Sequence, residues 1–419
     1  MIGRSSGRQI TTLNPIVITE KQTSSSNTHF DEEEGKVIDS RKRPQLPSEL
    51  ISIILQQRRN HQPTLYACTL VNRMFYAIAT PLLWNKMVIR SRAIAESFLT
   101  CIEQFASQNP GYSPSQHIRQ LHLRGHFLTD TYLTRLLPHV PQLTHLELSY
   151  PSKLTAAAIE WIPHYCQHLK SLHLQNIFLT RLIMTALSLH CCQLHQLCLY
   201  GCSMEQPNLL QPLIQHCPLE ELTIFGRKTN EHEQTTAMDI VLRDHLTYLK
   251  LVGLSRITMK TLLLSATATT HSPASTETGT SAAAATTTTT CLWPHLTKFI
   301  YHKCLDIDDT VWILFIKSHP QLQDISLGDA SLLTDDSLDA MSVWLPNLTH
   351  LEFIYNEHIS PEGIRRLIRQ AARSLVSIQL IDCARITKSD FPGVRDHDFL
   401  DDMIELDEMI ISKIRTCAI

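Results

Sequence analysis

The chain has 419 residues, with 37 Lys and Arg against 40 Asp and Glu and a formal net charge of −3. So even a balance argues against a nucleic-acid or membrane-surface role, where a basic excess is expected. No apolar run approaches the ~18 residues of a spanning helix. Met1–Ser40 carries no apolar core of a secretory signal, so a cytoplasmic and/or nuclear location is expected.

Residues 1–43 are polar, with a Ser/Thr run at 23–26, an acidic run Asp31–Glu34 and a basic triplet Arg41-Lys42-Arg43. They hold too little apolar surface to offset the entropy of ordering, so disorder is expected. The basic triplet reads as a solvated flank, with a nuclear import signal as the alternative.

Residues 44–90 predict three short helices. Pro47 suits a first turn, and Leu50, Ile51, Ile54 and Leu55 recur at helical spacing. Asn60–Pro63 interrupts; a second helix carries Leu65, Cys68 and Val71, and a third runs through Phe75 and Ile78 to Pro81. About 45 residues make a barely self-sufficient core. The phrases Leu46-Pro47-x-Glu49-Leu50, Ile54, Leu65, Cys68, Val71-Asn72-Arg73, Phe75-Tyr76 and Pro81-Leu82-x-Trp84 resemble an F-box of the fungal type. The segment Gln56–Thr64 is more polar and basic than that family's pattern. The resemblance implies docking on a Skp adaptor through Leu46, Pro47, Leu50, Ile54, Leu65, Val71 and Trp84, some of which belong to the internal core instead.

Residues 91–117 read as a helical bridge. Ile94, Phe98, Leu99, Ile102 and Phe105 predict an amphipathic helix over Ala93–Gln108, ended by Asn109-Pro110-Gly111. It is expected to cover the open end of the next domain.

From Ile118 one pattern dominates, L-x-x-L-x-L with aliphatic or aromatic substitutes. It begins at Ile118, Leu143, Leu169, Leu194, Leu219, Leu246, Leu296, Leu322, Leu348 and Leu375, at intervals of 25, 26, 25, 25, 27, 50, 26, 26 and 27. A period of about 20–29 with this pattern marks a leucine-rich-repeat solenoid. The expected fold is therefore α/β: a small three-helix head, then residues 118–388 as about ten repeats, with a curved parallel sheet inside and helices outside. Leu128-Thr129, Leu154-Thr155, Leu179-Thr180, Ile257-Thr258, Leu333-Thr334, Ile359-Ser360 and Ile386-Thr387 recur 10–12 residues into their repeats. Each predicts a helix start with a hydroxyl cap and an aliphatic staple. The one long interval holds a Thr/Ala/Ser-rich stretch, 265–290, read as a disordered surface insertion. In the tail, 389–419, Phe399–Ser412 predicts an acidic amphipathic helix capping the last repeat.

Twelve cysteines without a secretory signal are expected as thiols. Cys202, Cys304 and Cys383 lie eight residues after the first Leu of their repeats, in the slot that Asn356 fills elsewhere; Cys166, Cys191, Cys192 and Cys217 sit at helix ends as small hydrophobes. His164/Cys166/His168 and His190/Cys191/Cys192/His195 lack zinc-site spacing, so no metal is expected. No phosphate-binding loop, nucleophile elbow or cofactor signature is present, and the chain is expected not to be an enzyme.

The outward positions of the strands form rows. Tyr200, Phe225 and Val252 should make one apolar strip, with Tyr248 beside it. The strip reads either as a substrate-binding hot spot or as ordinary ladder contacts. F-box and repeats together resemble the substrate receptors of SCF-type cullin–RING ubiquitin ligases. That implies a non-catalytic subunit docking a protein substrate for ubiquitination, with a ligase-independent scaffold as the alternative.

Overall fold

The computed structural model describes residues 46–108, 113–151, 153–204, 209–226, 245–253, 263, 293–303, 307–371, 373–393 and 403–416. The polar segment 1–43, the insert 265–290, the helix start Ile257-Thr258 and Cys304 lie outside them. Of the described residues, those up to Leu83 and from Ser97 to Ser113 form one compact unit; Trp84–Glu96 and Pro114 onward form the other.

The first unit is built on helices α1 (Ser48–Gln57), α2 (Gln62–Thr69) and α3 (Arg73–Asn85). Ile51, Leu55, Leu65 and Ala79 are its buried core, packed against Cys68, Met74, Phe75, Ile78, Leu82 and Leu83. The His61 ring accepts the Thr64 amide to start α2, and Asn72 Oδ1 accepts the Phe75 amide at 2.9 Å to start α3. Both caps use orphan first-turn donors. Helix α4 (Arg92–Gln108) comes next, one residue longer at its start than the pattern predicts.

The second unit is an α/β repeat solenoid. Its sheet runs β1 (Lys86–Ile89), β2 (Gln120–Arg124), β3 (His145–Ser149), β4 (Ser171–Gln175), β5 (Gln196–Tyr200), β6 (Glu221–Phe225), β7 (Tyr248–Val252), β8 (Lys298–His302), β9 (Asp324–Gly328), β10 (His350–Ile354), β11 (Ser377–Ile381) and β12 (Met403–Leu406), each beside the next. Strands β2 to β11 each run from the third position of an L-x-x-L-x-L segment to one residue past its end and pair in parallel without slippage. Leu121, Leu123, Leu172, Leu174, Leu249 and Leu251 point inward and are wholly buried. Each such side chain contributes about 1.5–3 kcal/mol of burial. A one-residue slip would turn the whole set outward, and this fixes the register.

The chain leaves most strands through one residue in the left-handed region, seven after the first Leu. Gly201 and Gly253 take it at φ +60° and +63°, but Tyr150, Asn176, Lys303, Asp329, Tyr355 and Asp382 take it too. Only Asn and Asp tolerate it with ease among these non-glycine residues. The compensation is visible at Asp329 and Tyr355: each amide there donates to the neighbouring strand, to Ile354 O at 2.7 Å and Ile381 O at 2.9 Å.

Two edges differ from expectation. Lys86–Ile89, counted with the helical segment on its sequence, is a strand pairing in parallel with β2. Its short alternating pattern satisfies the sheet's open edge better than a helix can. At the other end Met403–Leu406, expected within a helix, pairs antiparallel with β11 and buries Ile404 and Leu406; the helix proper is Glu408–Thr416, capped by Asp407. The sequence fits either period there, and the unpaired amides of β11 decide for a strand.

Candidate functional site

Two surfaces stand out, one on each unit. On the first unit, α1 carries two apolar faces. Ile51 and Leu55 are buried, whereas Leu50, Ile53 and Ile54 are exposed by 46%, 53% and 52%. Leu46 before the helix is equally open and Pro47 is exposed. Leu70 and Val71, where α2 gives way to α3, are exposed by 59% and 60%. Apolar side chains so concentrated in a small unit mark a docking surface. Leu65 does not belong to it: its side chain has no exposed area and sits between Ile51, Leu55 and Ala79. Trp84 is half-buried and falls with the second unit. Of the seven expected adaptor residues, Leu46, Pro47, Leu50, Ile54 and Val71 are exposed.

On the second unit the outward rows of the sheet form a continuous face. Strand register places Tyr200 beside Phe225 and Phe225 beside Val252. The Tyr200 and Phe225 rings lie 4.7 Å apart, tilted by 37°, and Tyr200 is 44% exposed. Lys250 Nζ stands 5.3 Å from the centre of the Phe225 ring, a cation–π arrangement that the sequence pattern did not suggest. Tyr248 is not beside the strip. It shares a strand with Val252 but lies four residues earlier, ~13 Å away, with Lys250 between them. Its ring faces Lys298 at 5.7 Å.

Polar groups bound the strip on both sides. On one side Glu147 accepts from His122 Nδ1 at 2.6 Å, Arg124 Nε at 2.7 Å and Ser149 Oγ at 2.9 Å. Burial pushes the Glu147 carboxyl up, but these donors outweigh it and hold it at about 2. On the other side Ser326 donates to Glu352 and meets His302 Nε2 at 2.9 Å. Lys298, Ile300, Asp324, Ser326, His350 and Glu352 line a shallow depression there.

The cysteines form a structural ladder. Cys191 Sγ donates to Cys166 O and Cys217 Sγ to Cys191 O, both at 3.5 Å, tying three successive repeats. Burial pushes all three thiols up to about 12, which keeps them protonated at neutral pH. Cys192 departs from this pattern, being exposed. Asn356 fills the equivalent slot of Cys202 and Cys383: its amide donates to Ala330 O and Leu333 O of the preceding turn, and its carbonyl accepts the His358 and Ile359 amides. Among the described residues no group of three His, Cys, Asp or Glu is arranged to hold a metal ion, and no helix is long and apolar enough to cross a membrane.

One set of joints went unnoticed in the sequence. Asp130, Asp309 and Asp335, each first in its helix, accept both the amide and the hydroxyl of the next repeat's Thr155, Thr334 and Ser360 at 2.6–2.9 Å. The Asp directly after each cap residue, Thr129, Asp308 and Thr334, was the available signal.

No protein-family model matches the sequence, and no curated protein matches it. Among solved structures the chain is similar to one in the yeast Rad7–Elc1 complex, with 16% identity over 84% of each chain and a TM-score of 0.46. It is also similar to an internalin of Listeria monocytogenes, with 16% identity over 58% of this chain and 63% of that one, and a TM-score of 0.35. At these values the likeness reaches no further than a general course of the chain. The leucine-rich-repeat architecture stands on this protein's own strand ladder.

Proposed function

We propose that the protein is a non-catalytic substrate receptor of an SCF-type cullin–RING ubiquitin ligase. The head docks on a Skp adaptor through Leu46, Pro47, Leu50, Ile54 and Val71. The outward sheet holds a protein substrate, and the chain supplies proximity and orientation for chemistry carried out by other subunits. The observation that carries this reading is the second, exposed apolar face of α1 in a unit that precedes a repeat solenoid. A solenoid acting alone has no need of such a head. The F-box resemblance of residues 46–84 gives that face its partner.

The test is co-purification with the Skp adaptor and the cullin, comparing wild type with Leu46→Ala/Pro47→Ala and Leu50→Ala/Ile54→Ala. Retention of both partners by the wild type and their loss from the variants is expected. Adaptor without cullin would favour a ligase-independent scaffold. Neither partner bound by a folded wild type would sink the reading.

A further inference from the structure

The strip on the sheet has a charge that the apolar pattern alone does not account for. Lys250 is half-buried beside Phe225, with its ammonium over the ring. The other strand cations of this face are matched: Arg124 pairs with Glu147 at 2.7 Å and Lys298 with Asp324 at 3.4 Å. Lys250 makes no ion pair with any described carboxylate. A second cation closes the strip's far end. Lys303, exposed and in the left-handed region, lays its side chain over Gly253, the residue after Val252; a Cβ on Gly253 would meet its Cδ at 3.4 Å and its Nζ at 3.7 Å. Two rings in tilted contact and Val252 thus lie with one ammonium against them and a second at their edge.

We propose that this patch receives a peptide segment in which an apolar side chain is followed by a run of carboxylates. It rests on the reading of the outward sheet as the substrate-binding face, and it names that substrate's chemistry. The apolar side chain lies on Tyr200, Phe225 and Val252 and dries the Lys250 ammonium. The carboxylates then pair with Lys250 and Lys303, where partial desolvation strengthens the attraction. A basic peptide is disfavoured, because the two ammonium groups repel it.

The experiment uses the full chain and a fluorescein-labelled peptide of the sequence THFDEEEGK, the residues of this chain from Thr28 to Lys36. That probe carries one phenyl ring followed by four carboxylates. Fluorescence anisotropy is expected to show saturable binding that weakens about tenfold or more with Lys250→Glu or Phe225→Ala, and several-fold between 0.05 and 0.5 M salt, roughly as screening of exposed charge predicts. Lys250→Met, which keeps the aliphatic stem, should lose binding to the acidic peptide yet melt at the wild-type temperature. Equal binding of a peptide with Asn and Gln in place of the four acids would overturn the proposal, as would no saturable binding at all. Tighter binding once Asp31–Glu34 of the chain itself are neutralised would make the chain's own segment the occupant and overturn the assignment to a partner. Each preparation is also scored for adaptor retention. Absence of peptide binding by the wild-type chain, with the adaptor retained, defeats this inference alone and leaves the head reading intact.

Discussion

Removing the Glu147 charge measures how firmly the polar end of the sheet is held. The carboxylate stands at about 2 against an ordinary 4.5. That difference corresponds to roughly 3 kcal/mol at about 1.36 kcal/mol per unit. Arg124, one of its three donors, is 44% exposed, so screening reduces the figure to about 2 kcal/mol. A carboxyl depressed in the folded state stabilises above its unfolded value and loses that contribution as pH falls through the folded value. Here the loss runs from about pH 4.5 down to about 2. Glu147→Gln is expected to destabilise by about 2 kcal/mol at pH 7 in urea titrations monitored by circular dichroism. The gap between variant and wild type should shrink through pH 4 and 3, where the glutamate of the unfolded chain takes up its proton while the folded one is still ionised. A gap that stays constant from pH 7 to 3 would mean that shape, and not charge, accounts for the loss, and the electrostatic reasoning would be wrong.

The head offers a second contrast. Leu65→Ala empties a fully buried site and should cost about 2–5 kcal/mol, whereas Leu50→Ala and Ile54→Ala should change stability by less than about 0.5 kcal/mol; thermal melts separate the two, and similar losses at all three positions would refute the division into core and surface. At Gly363 a Cβ would fall 2.3 Å from an Asp335 carboxylate oxygen, so Gly363→Ala should lose about 1–3 kcal/mol despite a better helix former, as read by the urea midpoint. Thiol mapping with N-ethylmaleimide at pH 8 should label exposed Cys192 at least about tenfold faster than Cys166, Cys191 or Cys217, whose buried thiols stay protonated. Equal labelling in the folded protein would contradict the ladder.

Several of the helix starts were legible one residue at a time. Thr129, Thr180, Thr334 and Ser360 each accept a first-turn amide, as their position after an aliphatic residue suggested. Thr155 takes the same place and, like Thr334 and Ser360, donates its hydroxyl to the preceding repeat's Asp, but it accepts no first-turn amide. Asp308 caps its helix through the Val311 amide at 2.9 Å, although its repeat lacks the Thr or Ser that drew notice elsewhere. Any short side chain with an acceptor does this work, so a search for hydroxyls alone passes over Asp.

The sequence by itself determined which residues face inward. A 25–27-residue period with Leu at fixed offsets permits one parallel register, since any slip exposes every Leu at once. Tertiary structure alone decided what happens where that constraint stops. At both sheet edges the unpaired amides of β2 and β11 recruit the strands Lys86–Ile89 and Met403–Leu406, whose own patterns were too short to announce themselves. In the head, Leu65 and Leu50 are alike as letters, and only the packing of three helices puts one in the core and leaves the other bare. On the outward face, Tyr248 and Val252 belong to one strand, yet the pleat and the rise per residue place Lys250 between them and set its charge against Phe225. Period fixes which side a residue faces; what it meets there depends on groups brought in from other strands.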